Sequence, residues 1–202
     1  MDARELERRR PVWIALAELF LDTDVRLWYV GIVRVLAESP YTVEELGRIL
    51  RDEVTPALQS NLMQVAGEWA GFDDEWVVAE ITRKLDRRLK VPNVVDMSED
   101  WAALAELIGR VRGLPDAEAR ARRLSDWGEL LTILVASGYR SPEKTALDAA
   151  EAERILRDDL MPVMMPGVRR LAKTHPGAYP SETEIEERWR RFAGELERKP
   201  DS

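Results

Sequence analysis

The segment Arg48-Ile49-Leu50-Arg51-Asp52-Glu53-Val54-Thr55-Pro56 recurs later in the chain as Arg154-Ile155-Leu156-Arg157-Asp158-Asp159-Leu160-Met161-Pro162. The first five residues of the two segments are identical, and both segments end in proline. Because self-similarity within a chain is the signature of repeated structural units, the sequence predicts two diverged copies of one module.

A weaker match lies upstream of each segment and extends the repeat. It pairs the apolar residues Trp13, Leu16, Leu19 and Phe20 with Trp127, Leu130, Ile133 and Leu134, although the second copy is shorter between its two matches. We therefore predict a first helical module over residues 1–90, a linker over 91–97 and a second, diverged module over 98–175. A C-terminal helix and tail follow over 176–202.

Apolar residues recur at helical spacing along most of the chain. Leu124, Trp127 and Leu131 form one such stripe, and comparable stripes begin at Val78, Trp101 and Ile185. This period is typical of amphipathic helices. The sequence predicts an all-α protein of about ten helices, packed as one bundle or as a two-lobed array. Thr42 with Glu45 and Asp148 with Glu151 are predicted helix caps.

The proline that ends each repeated segment predicts a break or a kink between two helices. The acids just before it, Asp52, Glu53, Asp158 and Asp159, would then lie ahead of a helix N-terminus, where the dipole favours negative charge. An alternative interpretation is that these four carboxylates form a paired acidic site.

Composition excludes several classes of site. The chain has no cysteine, which removes disulfides, thiolate catalysis and cysteine-bound zinc. The first residues are charged and lack the apolar core of a signal peptide. No apolar run approaches the roughly 20 residues that span a bilayer. We expect a cytoplasmic protein that does not enter the membrane.

Few residues could carry catalysis or hold a cofactor. His175 is the sole histidine, in a predicted loop, and Glu184 with Glu187 has the spacing of a carboxylate metal pair without a second pair to complete it. Basic clusters such as Arg8-Arg9-Arg10 are mixed with acids in a chain of net charge −8, which does not favour nucleic-acid binding. We predict no catalytic residue, no metal, no cofactor and no enzyme activity.

The most unusual stretch runs from Gly67 to Trp76 and combines aromatic and acidic residues. In one interpretation it is a tight turn in which Trp69, Phe72 and Trp76 pack into the bundle while Asp73 caps the next helix. In the other it is a partner-binding corner, because exposed tryptophan beside acids is typical of binding hot spots. Packing is the favoured interpretation of the aromatics. The candidate partner-binding residues are Glu68, Trp69, Phe72, Asp73, Asp74, Glu75 and Trp76.

The first half of the chain resembles an uncharacterised bacterial all-helical domain family of unknown function. The residues that carry the resemblance span about positions 8–80: Arg10-Pro11-Val12-Trp13, Leu19-Phe20-Leu21-Asp22-Thr23, Leu36-Ala37-Glu38-Ser39-Pro40-Tyr41, Glu53-Val54, Pro56, Leu58, Asn61-Leu62, Gly67-Glu68-Trp69-Ala70-Gly71-Phe72 and Trp76. The resemblance implies no activity, because none is established for the family.

These features favour a non-catalytic interaction protein. The most concrete form is an immunity protein of a toxin–antitoxin type system, which binds a basic toxin and occludes its active site with an acidic face. The alternatives are a regulatory or scaffold module that binds a cellular protein or nucleic acid, and a carboxylate–metal hydrolase. The sequence does not indicate the oligomeric state or the partner.

Overall fold

A computed structural model describes residues 2–21, 25–63, 71–86, 92–136 and 147–162, together with positions 165, 183, 184, 187 and 191. Over these residues the chain is helical and contains no strand, which confirms the all-α prediction. It divides into two compact units, Met1–Gly113 and Leu114–Ser202. Within the described part, no helix is both long and apolar enough to cross a membrane.

The described residues of the first unit form six α-helices. They are α1 (Ala3–Ala17), α2 (Tyr29–Glu38), α3 (Val43–Ile49), α4 (Thr55–Leu58), α5 (Asp74–Asp86) and α6 (Ser98–Arg112). Helix α1 packs against α2 and α5, and α6 packs against α2 and α3. The Arg112 side chain donates to the carbonyls of Leu36 at 2.8 Å and Ala37 at 3.1 Å, which ties the end of α6 to the end of α2.

The boundary between the compact units differs from the predicted module boundary. The sequence placed residues 98–112 at the start of the second module, whereas α6 belongs to the first unit. Its apolar stripe explains the difference, because Leu104, Ile108 and Val111 are buried on the side that faces the first unit's helices. The predicted linker 91–97 therefore lies inside the first unit.

Two predicted helix caps are confirmed. Thr42 accepts the Glu45 backbone N–H at 3.2 Å, and the Glu45 carboxylate accepts the Thr42 N–H at 2.8 Å, which completes a capping box at α3. In the second unit, Asp148 accepts the Glu151 N–H at 2.9 Å and begins α8 (Ala149–Arg154).

The predicted break within each repeated segment is instead a π-helix. Residues Leu50–Val54 and Ile155–Leu160 are π-helical and follow directly on α3 and α8. Thr55, directly after the first of them, donates both its backbone N–H and its hydroxyl to the Leu50 carbonyl, the hydroxyl at 2.8 Å. Proline is tolerated at the end of the first repeated segment, because Pro56 lies in the first turn of α4, where no backbone N–H is needed for a hydrogen bond within the helix.

The π-helix of the first unit carries the acid that holds α1 in place. Glu53 accepts the Trp13 indole N–H at 2.6 Å and also binds the Arg9 guanidinium. Trp13 is fully buried. Arg9 and Trp13 lie one turn apart on α1, so a single carboxylate fixes both the position and the rotation of that helix. We call these three residues the first clamp.

The second unit contains the same arrangement. Its helix α7 (Ala117–Ala136) presents Arg123 and Trp127, again one turn apart, to Asp159 of the second π-helix. Asp159 accepts the Trp127 indole N–H at 2.8 Å and an Arg123 N–H at 3.1 Å. Trp127 is fully buried and Asp159 is 1% exposed. We call these three residues the second clamp.

The structure does not support the paired acidic site considered above. The two acids of each segment point in different directions. Asp52 and Asp158 face solvent and bind the neighbouring arginine. Glu53 and Asp159 face inward and accept the indole N–H of a tryptophan. The predicted C-terminal helix and tail over 176–202 fall mostly outside the described residues, and His175 lies outside them as well.

The second clamp leads to a stability prediction. Asp159→Ala leaves a buried indole N–H and a guanidinium without their shared acceptor, so we expect it to lower the free energy of unfolding of this unit by about 3–5 kcal/mol. The measurement is urea unfolding followed by tryptophan fluorescence.

Asp158→Ala is the matched control, since it removes the adjacent acid of the same π-helix from a solvent-facing ion pair. We expect a much smaller loss for it. Equal losses in the two variants would show that Asp159 is not a buried anchor.

Candidate protein-binding surface

The acidic aromatic corner is the described part of the predicted site, namely Phe72, Asp73, Asp74, Glu75 and Trp76. It forms the start of α5. The Asp73 carboxylate accepts the Trp76 N–H at 2.8 Å, which confirms that Asp73 caps the helix. Glu68 and Trp69 lie outside the described residues.

The two aromatic rings of the corner stack on each other at the surface. The centroids of Phe72 and Trp76 are 5.5 Å apart with an angle of 14° between the ring planes. Trp76 is 48% exposed, so the prediction that it packs into the bundle is wrong. The reason is helical phase, because Val77, Val78 and Ile81 occupy the inward face of α5. The stacked pair thus presents a large apolar surface to solvent.

The charged residues of the corner differ in their partners. Glu75 forms a two-pronged ion pair with Arg10 of α1, with N–O distances of 2.5 and 3.0 Å. The hydrogen bond from Arg10 lowers the pKa of Glu75. Asp74 is exposed and has no ion pair among the residues that the structure describes. The corner therefore offers its negative charge mainly through the exposed carboxylates of Asp73 and Asp74.

An apolar groove of about 430 Å³ lies on the same unit, between α1 and α2. Its walls come from Pro11, Ile14 and Ala15 on one side and from Trp28, Gly31, Ile32 and Val35 on the other. Among the described residues that line it, Glu18 is the one acid. In the described chain no cation contacts the Glu18 carboxylate.

Burial raises the pKa of Glu18 to about 7, with the negative charge of Asp74 as the second cause. The influence of Asp74 shows that the groove and the corner are electrostatic neighbours. Nothing in the sequence indicated Glu18 or the groove, and Arg10 was marked only as part of a basic cluster and of the family resemblance. Their proximity to the corner depends on the packing of α1 against α5, which no local pattern signals.

Glu18 gives a prediction about pH dependence. The pKa of Glu18 is higher in the folded protein than in the unfolded chain. Its protonation therefore adds to the free energy of unfolding, fully below pH 4.5 and not at all well above pH 7. The contribution is lost as the pH rises through this interval. Glu18→Gln removes the ionisation, so the variant should gain stability over the wild type between pH 4.5 and 7, reaching about 1–3 kcal/mol.

Urea unfolding of both proteins at pH values across that interval measures the difference. Comparing the variant with the wild type cancels the titration of all other groups. A stability difference that does not change with pH would contradict the raised pKa.

The remaining acidic candidates do not assemble into a site. Glu184 and Glu187 are both exposed. Among the described residues, no group of three or more Asp, Glu or His side chains is placed to hold a metal ion.

A family model described as a domain of unknown function, DUF7079, matches residues 7–107. The chain belongs to the DUF7079 family. The DUF7079 match includes the first clamp, the corner, the groove and the first ten residues of α6, so it extends beyond the predicted span of residues 8–80. No curated protein and no solved structure matches the chain.

Proposed function

We propose that this DUF7079 protein is a non-catalytic protein-binding protein, and that the acidic aromatic corner is its binding face. The half-exposed Trp76, stacked on Phe72 and next to the exposed carboxylates of Asp73 and Asp74, carries the proposal. Tryptophan is enriched in binding hot spots because it buries a large area at a small entropic cost. A pre-stacked ring also loses less freedom on binding.

The partner that this face suits is basic. The chain has a net charge of −8, and its corner adds a local concentration of acids that would speed association with a cationic surface. We propose more specifically that the protein is cytoplasmic and bacterial and acts as an immunity protein, which blocks the active site of a basic toxin. A regulatory or scaffold role would use the same face with a partner that is not toxic.

We further propose that the two units are diverged copies of one module. Three observations support this: each has an Arg-x-x-x-Trp helix, each has an acid on a π-helix that binds both side chains, and each has a capped helix before the π-helix. The Gly-Glu-Trp sequence of the corner does not recur in the second half of the chain, so we expect a single binding face per chain.

The proposal is tested by co-expressing the chain in a bacterial host with the protein encoded by the adjacent reading frame. We expect that protein to arrest growth when it is expressed alone and to be neutralised by the wild-type chain. Trp76→Ala and Asp74→Lys should each abolish neutralisation or weaken the purified complex at least tenfold, in line with hot-spot losses.

Asp86→Lys is the matched control, because it reverses an exposed acid at the other end of α5 and should leave binding intact. Thermal unfolding checks that every variant is folded. A complex without toxicity would replace the immunity role by the scaffold role. Absence of any complex, or equal effects of Asp74→Lys and Asp86→Lys, would reject the corner as the binding face.

A further inference from the structure

A second cavity of the first unit, distinct from the groove, has a volume of about 510 Å³. It lies between α3 with the first π-helix and the segment that leads into α6. Its lining includes Gly47, Arg48, Arg51, Thr55 and Trp101, together with the two acids Glu44 and Asp96. Its volume is in the range of small-molecule sites, about 300–1,000 Å³.

One wall of this cavity, residues 92–95, is fixed by a buried amide. Gln59 is 4% exposed, and its side-chain nitrogen donates to the Pro92 carbonyl at 2.9 Å. Its side-chain oxygen accepts the Val94 N–H at 2.8 Å and the Val95 N–H at 3.4 Å. Asn93 adds a hydrogen bond to the Arg51 carbonyl at 2.8 Å. The wall is therefore preformed, which lowers the entropic cost of binding.

The indole of Trp101 forms an aromatic surface of the cavity. It lies so close to Gly47 that a Cβ at that position would be 2.7 Å from its ring nitrogen. Glycine thus lets α3 approach the ring and hold it in one orientation. Trp101 is only partly buried, so a part of the ring stays open to a ligand. A planar group stacks favourably on such a surface.

Arg48 supplies a positive charge to the cavity. At the matching repeat position, Arg154 forms a two-pronged ion pair with Glu151 at 2.6 and 2.9 Å. In the first unit the acid at the matching position, Glu45, bonds to the Thr42 backbone instead. Across the described residues Arg48 has no ion pair, although Glu44 and Asp96 also line the cavity and the charge of Arg48 acts on the nearby Asp52. Arg51 also lines the cavity, but its guanidinium is bound by Asp52.

We propose that this cavity binds a small planar aromatic anion, with the ring on Trp101 and the carboxylate, sulfonate or phosphate group on Arg48. The inference does not depend on the proposed protein-binding function, because it uses none of the residues of the corner or the groove.

The probe is anilinonaphthalene sulfonate, a planar aromatic anion whose fluorescence rises on binding, and phenylnaphthylamine is its uncharged analogue. We expect saturable binding of the anion to the full chain. Arg48→Gln should weaken that binding by about fivefold or more, as loss of a charge-assisted hydrogen bond does, and should leave the affinity of the uncharged analogue unchanged.

Arg154→Gln is the matched control, because it removes the arginine at the corresponding repeat position that already has its own acid. It should not change the affinity for the anion. In NMR spectra, the indole N–H resonance of Trp101, assigned with Trp101→Phe, should shift more than those of the other tryptophans on adding the anion. No saturable binding, equal effects of the two arginine variants, or an unmoved Trp101 resonance would overturn the proposal.

Discussion

The hydrogen bond from the Trp13 indole to Glu53 is the contact on which the first unit depends. A carboxylate in this position must be paired, because it lies against a fully buried tryptophan, and it is shared with Arg9. Burying charge is costly unless every partner is present, so the contact permits one register of α1. α1 in turn carries Arg10, which holds Glu75, and leads to Glu18, so the corner and the groove both follow from it.

The repeated segment could be identified from sequence, but its role could not. Identical residues from Arg48 to Asp52 were visible, as were the capping residues Thr42 and Asp148. The sequence did not show that Asp52 faces solvent while Glu53 faces the core, because the orientation of these side chains depends on the π-helix. A π-helix changes the hydrogen-bond register, so side chains after it no longer follow the 3.6-residue period on which sequence patterns depend. The hydrogen bond between Glu53 and Trp13, which lies forty residues earlier, could therefore not be predicted from the charges near Glu53 in the sequence.

At the candidate surface the helix cap was predicted correctly, whereas the packing of Trp76 was not. Asp73 was identified as a cap by its place ahead of an apolar helix, and that inference needed only local information. Trp76 was assigned to the core from its size, yet three smaller residues fill the inward face of α5. Glu18 and Arg48 gave no local signal at all. In the described part of the chain, no cation contacts the Glu18 carboxylate and no acid forms an ion pair with Arg48, and both facts depend on how the helices pack.

The hydrogen bond between Trp13 and Glu53 should couple the two side chains energetically and so fix the position of α1. A double-mutant cycle with Trp13→Phe and Glu53→Met measures this coupling, because the loss of Arg9 pairing is common to both arms and cancels. We expect a coupling free energy of about 1.5–3 kcal/mol in urea unfolding, the usual strength of a hydrogen bond to a charged group. Additive effects, with a coupling energy near zero, would contradict it.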